Sequence, residues 1–292
     1  MVATTLSRNR AITEVVATAG IWGVSFIAQR WALVGTGPLW VTAGRFLVAV
    51  MLTIPFVLSF PSVRQHLRLN QLALAFLPGL LLGLHLTLQT FGLRYTSVAN
   101  SAFITVLYVL WVPIFDQFIG KKSIPTIHWF WVFIALGGTT FISRPEKGGW
   151  NFGDILTLGA SIAGALQIFW IDKIVHRIES PLTFNILQAV CAGLLAMICG
   201  LMFEPIPNLA MPPISIAGIL ILALGSTLIG FWIQLRAQQV LSSSLVSLLF
   251  LLESPLAAFF GYLIFAEQMT GSQWIGAFLI LAATFGAIRC SK

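Results

Sequence analysis

The sequence predicts an all-α integral membrane protein of ten transmembrane helices, arranged as two inverted-topology repeats of five helices each. Of its 292 residues, 58% are hydrophobic and only 9% are charged, whereas a soluble domain carries about 25% charged residues. Such a chain cannot cover its surface with water-compatible side chains. The repeats are indicated by a series of similar residues, here called the ladder, that occurs twice with an offset of 142 positions. Ser101 in the first copy corresponds to Ser243 in the second.

The apolar stretches are long enough to cross a bilayer, which takes roughly 20 residues for each helix. Ten of them lie near residues 12–31, 37–59, 71–93, 97–118, 127–143, 153–171, 181–202, 214–235, 242–265 and 271–288. With short connections they account for nearly the whole sequence, so we expect no soluble catalytic or regulatory domain. The alternating strands of about ten residues that are typical of an outer-membrane barrel are absent.

The net charge of +7 is read as a signal of membrane orientation rather than of nucleic-acid binding. With a cytoplasmic N-terminus, the Lys and Arg residues on the cytoplasmic side are Arg8, Arg10, Arg64, Arg68, Lys121, Lys122, Lys173, Arg177, Arg236, Arg289 and Lys292. Those on the other side are Arg30, Arg94, Arg144 and Lys147. This bias follows the positive-inside rule and predicts that both termini are cytoplasmic. The basic surface would also attract anionic lipid headgroups.

The polar, turn-rich segment from Arg144 to Gly149 divides the chain into repeats at residues 1–146 and 147–292. Because each repeat has an odd number of spans, the second copy enters the membrane from the opposite side. The first ladder starts at Arg94 and continues with Ser101, Thr105, Tyr108, Trp111 and Pro113. The second starts at Arg236 and continues with Ser243, Ser247, Phe250, Glu253 and Pro255.

Small residues also recur four positions apart within the spans, as at Gly79 and Gly83. In lipid, such pairs let two helix backbones approach closely. We therefore expect these positions to mark helix–helix contacts.

Glu253 is the most informative single residue, because charge-free runs flank it on both sides and place it near the middle of a span. A charge at that depth costs about 2.5–3.5 kcal/mol on insertion scales, so the side chain should face the protein interior or water. It could contact substrate, carry a proton or hold another helix in place. Arg45, in the second span, is its natural counterpart, and the two could form either a static ion pair or a gate.

Other candidate substrate-binding residues come from helical spacing. Ser101, Thr105, Tyr108 and Trp111 share one face of the fourth span, as Ser247, Phe250 and Glu253 do in the ninth. His85 shares a face with Gln89 in the third span, and Gln167 with Trp170 in the sixth. Alternatively, the hydroxyls bond backbone carbonyls one turn back while the aromatic rings fill the core.

Several motifs resemble those of the drug/metabolite transporter superfamily, specifically the ten-helix exporters built from two EamA-type repeats. They are Gly20-Ile21-Trp22-Gly23-Val24-Ser25-Phe26, Gly44-Arg45-Phe46-Leu47, Tyr95-Thr96-Ser97-Val98-Ala99-Asn100, Glu253-Ser254-Pro255 and Ala266-Glu267. The resemblance extends over essentially the whole chain. Within the superfamily, the sequence resembles YddG-like amino-acid exporters of bacterial inner membranes.

This resemblance implies metabolite efflux by alternating access, through a central cavity lined by the third, fourth, eighth and ninth helices. The residues that would border it are His85, Gln89, Tyr108, Trp111 and Glu253. Two positions depart from the family pattern. Gly120-Lys121-Lys122 stands where the first repeat often has Gly-Glu, and Gln188 stands where an Arg might be expected.

The function expected from these observations is a secondary carrier that exports small metabolites, most of all amino acids, including aromatic ones. Arg45 could bind a carboxylate and Glu253 an ammonium, while Tyr108, Trp111 and Trp170 offer aromatic surface. A multidrug exporter of lipophilic cations, a channel or an intramembrane enzyme are the alternatives. No phosphate-binding loop, metal-ligand spacing or cofactor motif occurs. Proton coupling stays open, and we expect a monomer.

Overall fold

The computed structural model describes residues 6–142, 150–208, 211–265 and 270–290. Within these ranges the chain forms helices and no strands. Nine of the described helices are long and apolar enough to cross a membrane, and a tenth, at Thr126–Phe141, is apolar but shorter. The prediction of an all-α, ten-helix membrane protein is therefore confirmed. The break at Arg144–Gly149, the Ala266-Glu267 motif and Lys292 lie outside the described residues.

The ten membrane helices are numbered here in chain order. Their bounds are α1 Arg8–Ala32, α2 Pro38–Ser59, α3 Leu69–Gly92, α4 Val98–Thr105 with Tyr108–Phe118, α5 Thr126–Ile142, α6 Phe152–Ile174, α7 Pro181–Phe203, α8 Pro213–Ile221 with Leu222–Gly230 and Phe231–Gln238, α9 Ser243–Phe250 with Glu253–Phe265, and α10 Gly271–Cys290. A four-residue helix, Pro61–Arg64, connects α2 to α3. Most of the predicted spans agree with these bounds to within a few residues.

Polar side chains cap several of the helices. Ser97 accepts a hydrogen bond from the Asn100 amide at the start of α4, and Ser242 accepts one from the Leu245 amide at the start of α9. Asn151 and Asp154 form a reciprocal capping box at the start of α6. Each cap satisfies an amide that would otherwise have no partner within the helix.

The helices α4 and α9 are each broken in the middle, at residues 106–107 and 251–252. In α9 the break has a simple cause, because Pro255 has no amide hydrogen to donate to the Leu251 carbonyl four residues back. The Ser254 amide bonds that carbonyl instead, over 3.2 Å. No proline explains the break in α4, since Pro113 lies inside its second segment.

The middle of α8, Leu222–Gly230, is wound as a π-helix. Such segments are rare and often occur at functional sites. The side-chain amide of Asn185 in α7 donates to the carbonyls of Thr227 and Leu228, over 3.0 and 3.1 Å. A neighbouring helix therefore satisfies part of the altered backbone of α8.

The most extensive packing joins helices from the first half of the chain to helices from the second half. Helix α3 packs against α6 and α7, α2 against α7, α5 against α10, and α1 against α8 and α9. The first and second halves of the chain are therefore interlocked rather than two bodies side by side. The start of α1 and the end of α10 meet, because the Arg8 guanidinium donates to the Ile288 carbonyl over 3.1 Å. We call this end of the bundle the terminal end.

Glycines bring α3 and α7 into close contact. A Cβ atom placed on Gly79 would lie 2.6 Å from Cys191 Cβ and 2.8 Å from the Gln188 carbonyl oxygen. One placed on Gly83 would lie 3.0 Å from Ala192 Cα. These are the close backbone approaches that small residues permit between membrane helices.

We expect Gly79→Ala to lower the apparent Tm in detergent, corresponding to a loss of about 1–3 kcal/mol from overpacking. The matched control is Gly20→Ala, whose added Cβ would meet only Leu256 Cδ1, at 3.9 Å. Both changes bring the same gain in helix propensity. Equal Tm values for the two variants would contradict the close α3–α7 contact.

Candidate functional site

The breaks in α4 and α9 bring together two polar residues in the centre of the bundle. Tyr108 is the first residue after the break in α4, and Glu253 is the first residue after the break in α9. Tyr108 Oη donates a hydrogen bond to Glu253 Oε2 over 3.2 Å. Both side chains are almost fully buried, with 3% and 4% exposed. Glu253 thus faces the protein interior, as its depth in the span predicts.

A chain of buried hydrogen bonds links α1, α3 and α4. Gln29 Nε2 donates to Gln89 Oε1 over 3.0 Å, and Gln89 Nε2 donates to Thr105 Oγ1 over 3.1 Å. Thr90 Oγ1 donates to the Leu86 carbonyl over 2.7 Å and lies 3.1 Å from Gln29 Oε1. Because its amide is held on both of its atoms, Gln89 is fixed in orientation.

His85 lies beside this chain on α3. Its Nδ1 is 2.8 Å from the Ala160 carbonyl of α6. A carbonyl can only accept, so Nδ1 carries the proton and Nε2 of the neutral ring is an acceptor. His85 can therefore accept a hydrogen bond from a molecule bound at the centre.

These residues surround a small central cavity of about 30 Å³. It is lined by Trp22, Ser25, Gln29, His85, Leu86, Gln89, Thr105, Tyr108, Ser226, Phe231 and Glu253. That volume corresponds to about one water molecule. A metabolite can enter only if the surrounding helices move apart.

Arg45 is fully buried on α2 and reaches the wall of this cavity through Ser226. Its Nη2 donates to Ser226 Oγ over 2.6 Å, and its Nε donates to Thr227 Oγ1 over 3.1 Å. Within the described ranges it forms no ion pair, so the possible Arg45–Glu253 pair is not formed. Its Nη1 has no hydrogen-bond partner there. The guanidinium is therefore held by two neutral hydroxyls of the π-helical segment.

Gln167 lies in a separate network of buried amides. Gln167 Oε1 accepts a hydrogen bond from Gln234 Nε2 over 3.0 Å. Gln167 Nε2 lies 3.4 Å from Gln188 Oε1. Gln188 Nε2 donates to Asn185 Oδ1, the side chain that also bonds the α8 backbone. This network ties α6, α7 and α8 together and does not line the cavity.

The structure brings only some of the predicted residues to the cavity. Those that line it are His85, Gln89, Thr105, Tyr108 and Glu253, and those that do not are Arg45, Ser101, Trp111, Gln167, Trp170, Ser247 and Phe250. Trp170 is 39% exposed and lies away from the cavity in this structure. Phe250 packs on Trp22 with ring centroids 4.3 Å apart, one layer behind the cavity wall.

The remaining hydroxyls and Trp111 make local contacts. Trp111 Nε1 donates to Ser161 Oγ over 3.2 Å, and Ser247 bonds the Ser244 carbonyl over 3.0 Å. Ser101 is fully buried and its hydroxyl has no partner among the described residues. For Ser247 the expected alternative, a hydroxyl bonded to the preceding turn, is what the structure shows.

Sequence reasoning missed the contribution of α1 to the cavity. It expected the eighth helix in the cavity wall through the family resemblance but named none of its residues. Ser25 and Gln29 are spaced four residues apart on α1, which is the same signal that identified His85 and Gln89 on α3. Ser226 and Phe231 carry no such signal, because their position depends on the π-helical turns of α8.

At the terminal end, a charged cluster joins α4, α6 and α9. Asp116 Oδ2 accepts from the hydroxyls of Ser243 and Ser244 over 2.6 and 2.8 Å. Lys122 Nζ lies 3.4 Å from Asp116 Oδ1 and also pairs with Asp172. Burial lowers the pKa of the Lys122 ammonium, but the two carboxylates raise it more, so its pKa lies above the usual range. Lys122 is therefore charged at neutral pH.

A second ion pair at this end joins α1 to α8. Glu14 Oε1 lies 3.3 Å from Arg236 Nη2 and 3.0 Å from Arg10 Nε. At the opposite end, Thr96 Oγ1 donates to Asp154 Oδ1 over 2.6 Å. Polar contacts thus join the two halves of the chain at both ends of the bundle.

Glu204, after α7, also lies at that opposite end. Its carboxylate accepts from the Leu39 amide over 3.2 Å and from the Trp40 amide over 3.4 Å, at the start of α2. A carboxylate is favoured there because the unsatisfied amides give the start of a helix partial positive charge.

Ten apolar helices around a buried polar cavity, with charged groups at its wall, define a multi-pass membrane protein that handles a small molecule inside the bilayer. In the described ranges, no three His, Cys, Asp or Glu side chains gather as a metal site requires. The chain belongs to the EamA-like transporter family, whose model matches residues 9–144 and 151–289. It is a transporter of a small-molecule substrate and not an enzyme.

Individual proteins are also similar in sequence to most of this chain. An uncharacterized transporter of Archaeoglobus fulgidus is 28% identical over 90% of this chain and 80% of its own. An S-adenosylmethionine/S-adenosylhomocysteine transporter of Chlamydia trachomatis is 26% identical over 97% of this chain and 88% of its own. The uncharacterized transporter YoaV of Bacillus subtilis is 21% identical. A crystal structure with 18% identity superposes with a TM-score of 0.77 over 98% of both chains, which shows a shared fold.

Proposed function

We propose that this transporter exports small metabolites that carry both an ammonium and a carboxylate, foremost amino acids, across the bacterial inner membrane. The observation that carries the proposal is a buried carboxyl group and a buried guanidinium beside one cavity. Glu253 lines the cavity, and Arg45 lies behind Ser226 in its wall without forming an ion pair in the described structure. An ionised side chain costs free energy inside a membrane, and a substrate group of opposite charge would offset that cost.

The two charges suit the two ends of an amino acid. A substrate ammonium would replace the Tyr108 hydroxyl as the main partner of Glu253, and a substrate carboxylate would bond the guanidinium through its unused Nη1. A hydrogen bond from a guanidinium to a carboxylate is charge-assisted and roughly twice as strong as one between neutral groups. Trp22 and Phe231 line the same cavity and would contact an apolar or aromatic side chain.

The small cavity and the polar contacts at both ends of the bundle support alternating access as the mechanism. The cavity is too small for a substrate in this state, and polar contacts at both ends join the two halves of the chain. The packing of α2 on α7 and of α5 on α10 is what inverted repeats of residues 1–146 and 147–292 would produce. In the proposed orientation, the terminal end, with its basic residues, is cytoplasmic.

A second candidate substrate is S-adenosylmethionine. The relative from Chlamydia trachomatis is named for transport of this compound and S-adenosylhomocysteine. Both molecules carry the ammonium and carboxylate of an amino acid, so the same charges could bind them. Their adenosine moiety requires a wider opening than an amino acid does.

Counterflow in proteoliposomes tests the proposal. We expect labelled phenylalanine to accumulate in vesicles preloaded with unlabelled phenylalanine, with saturable kinetics and no accumulation in protein-free vesicles. Labelled S-adenosylmethionine and a lipophilic cation are run in parallel. Exchange of the cation alone would favour a multidrug exporter, and flux that does not saturate would favour a channel. Repeating the assay with and without a pH gradient decides whether transport is coupled to protons.

A further inference from the structure

At the terminal end of the bundle, two hydroxyls of α9 bond one carboxylate of α4. Asp116 Oδ2 accepts from Ser243 over 2.6 Å and from Ser244 over 2.8 Å. All three residues are buried, with at most 5% of any of them exposed. Hydrogen bonds to a carboxylate are about twice as strong as those between neutral groups. We call Asp116, Ser243 and Ser244 the α4–α9 latch.

The turn that follows α4 brings a cation to the latch. Lys121 has a φ of 54°, in the left-handed region that residues with a Cβ atom disfavour. After this turn the Lys122 amide donates to the Asp116 carbonyl over 2.9 Å, and the Lys122 ammonium lies 3.4 Å from Asp116 Oδ1. The same ammonium pairs with Asp172 of α6. A strained backbone conformation thus places a positive charge beside the carboxylate of the latch.

The latch joins the same two helices that meet at the central cavity. Tyr108 of α4 and Glu253 of α9 line that cavity and are hydrogen-bonded to each other. Asp116 lies eight residues after Tyr108, which is about 12 Å along a helix, and Ser244 lies nine residues before Glu253. The latch therefore lies between the cavity and the terminal end. A passage that opens between α4 and α9 toward this end has to break it.

On the other side of the cavity, the contact between α4 and α9 is apolar. There the first segment of α4 packs against the second segment of α9, and Ala102 and Ala257 belong to one buried apolar cluster with Phe26. Separation of the helices on that side parts apolar surfaces. Separation at the latch leaves a carboxylate and two hydroxyls without their partners, which costs more.

The two copies of the ladder show the same difference. At the offset of 142 residues, Ser243 corresponds to Ser101 and Asp116 corresponds to Ala258, which has no polar side chain. The Ser101 hydroxyl is buried and has no partner among the described residues. The carboxylate that holds Ser243 thus has no counterpart for Ser101.

We propose that the α4–α9 latch makes the transporter's two states unequal, by disfavouring the state in which the cavity opens to the terminal end. This inference rests on the alternating access of the proposed function. In the proposed orientation the terminal end is cytoplasmic, so the latch sets how often the empty carrier exposes its cavity to the cytoplasm. Asp116 acts here as a positioning residue, since it does not line the central cavity.

Distances between spin labels, measured by double electron–electron resonance, test this inequality in the absence of substrate. The three cysteines are first changed to alanine. One pair of labels is attached at Ser123→Cys and Gln239→Cys, two exposed positions in the connections after α4 and before α9. A second pair, at Arg94→Cys and Leu263→Cys, reports on the opposite end from exposed positions. The protein is studied in lipid nanodiscs.

Ser243→Ala/Ser244→Ala removes both donors of the latch and leaves the ion pair of Asp116 with Lys122. We expect this variant to raise the ratio of long to short distances at the terminal end at least about tenfold, as the loss of one hydrogen bond to a charged group would. The same ratio at the opposite end should fall. Ser247→Ala is the matched control and should change neither ratio, since its hydroxyl bonds the Ser244 carbonyl within α9.

Equal ratios in Ser243→Ala/Ser244→Ala and Ser247→Ala would overturn the latch while leaving the proposed transport intact. Long distances that already dominate the terminal end of the wild type would overturn it as well. One unchanging distance at each end, in every variant and with phenylalanine present, would contradict alternating access and the latch together. A shift of the ratios in protein that does not exchange phenylalanine would support the latch and remove the proposed substrate.

Discussion

Glu253→Gln is expected to reduce amino-acid exchange at least about thirty-fold, because the loss of one partner from a buried charge pair costs about 2–5 kcal/mol. The glutamine has nearly the same shape, and its carbonyl can still accept from Tyr108 Oη. What it lacks is the negative charge that would hold a substrate ammonium. The change therefore separates the charge of residue 253 from its packing.

The measurement is counterflow of labelled phenylalanine, with initial rates compared at equal amounts of reconstituted protein. Glu179→Gln is the matched control, since it makes the same chemical change on an exposed residue. Circular dichroism and Tm establish that each variant is folded. Unchanged kinetics in Glu253→Gln would remove this residue from the substrate site, whatever the true substrate is.

Arg45→Met should abolish exchange while leaving the Tm unchanged or higher. A buried arginine costs about 2.5–3.5 kcal/mol in a membrane helix, and its described partners are two neutral hydroxyls. Methionine fills a similar space with a flexible apolar chain, and the hydroxyls of Ser226 and Thr227 can bond their own backbone instead. Replacement of a buried charge by an apolar side chain is often neutral or stabilising.

A purely structural role for Arg45 predicts the opposite pattern, a large fall in Tm with exchange per folded molecule preserved. Both quantities are therefore measured on the same preparations. Arg64→Met is the control, because Arg64 is exposed in the short helix between α2 and α3. An equal loss of exchange in the control would point to a general effect of losing a positive charge.

The spans and the inward orientation of Glu253 could be predicted from the sequence because the bilayer imposes them directly. A helix must be apolar over about 20 residues, and a lone carboxylate within it must turn away from lipid. The contact between Glu253 and Tyr108 could not be predicted, because 145 residues separate them and both helices break just before the contacting side chain.

Helical spacing was a weaker guide to which residues line the cavity. Gln167 and Trp170 are three residues apart, which places them about 60° apart around the helix axis. That angle is wide enough for Gln167 to be buried among amides while Trp170 is exposed. The spacing shows that two residues are neighbours, but the packing of α6 against other helices decides which direction they face.

Arg45 was identified as a buried cation, but its partners could not be. Ser226 and Thr227 look like ordinary hydroxyls in an apolar span, and the sequence carries no mark of the π-helical turns that orient them. The amide of Asn185 that bonds those turns comes from a different helix.

The wide turns of Leu222–Gly230 give α8 a length of backbone that a regular α-helix would not need. If these turns tighten to regular ones, the residues on one side of them rotate relative to the other side by about 100° for each residue of register. Ser226 and Thr227 would then swing away from the guanidinium that they hold. The wall of the central cavity can thus be reshaped by rewinding one segment, without tilting a whole helix through the lipid.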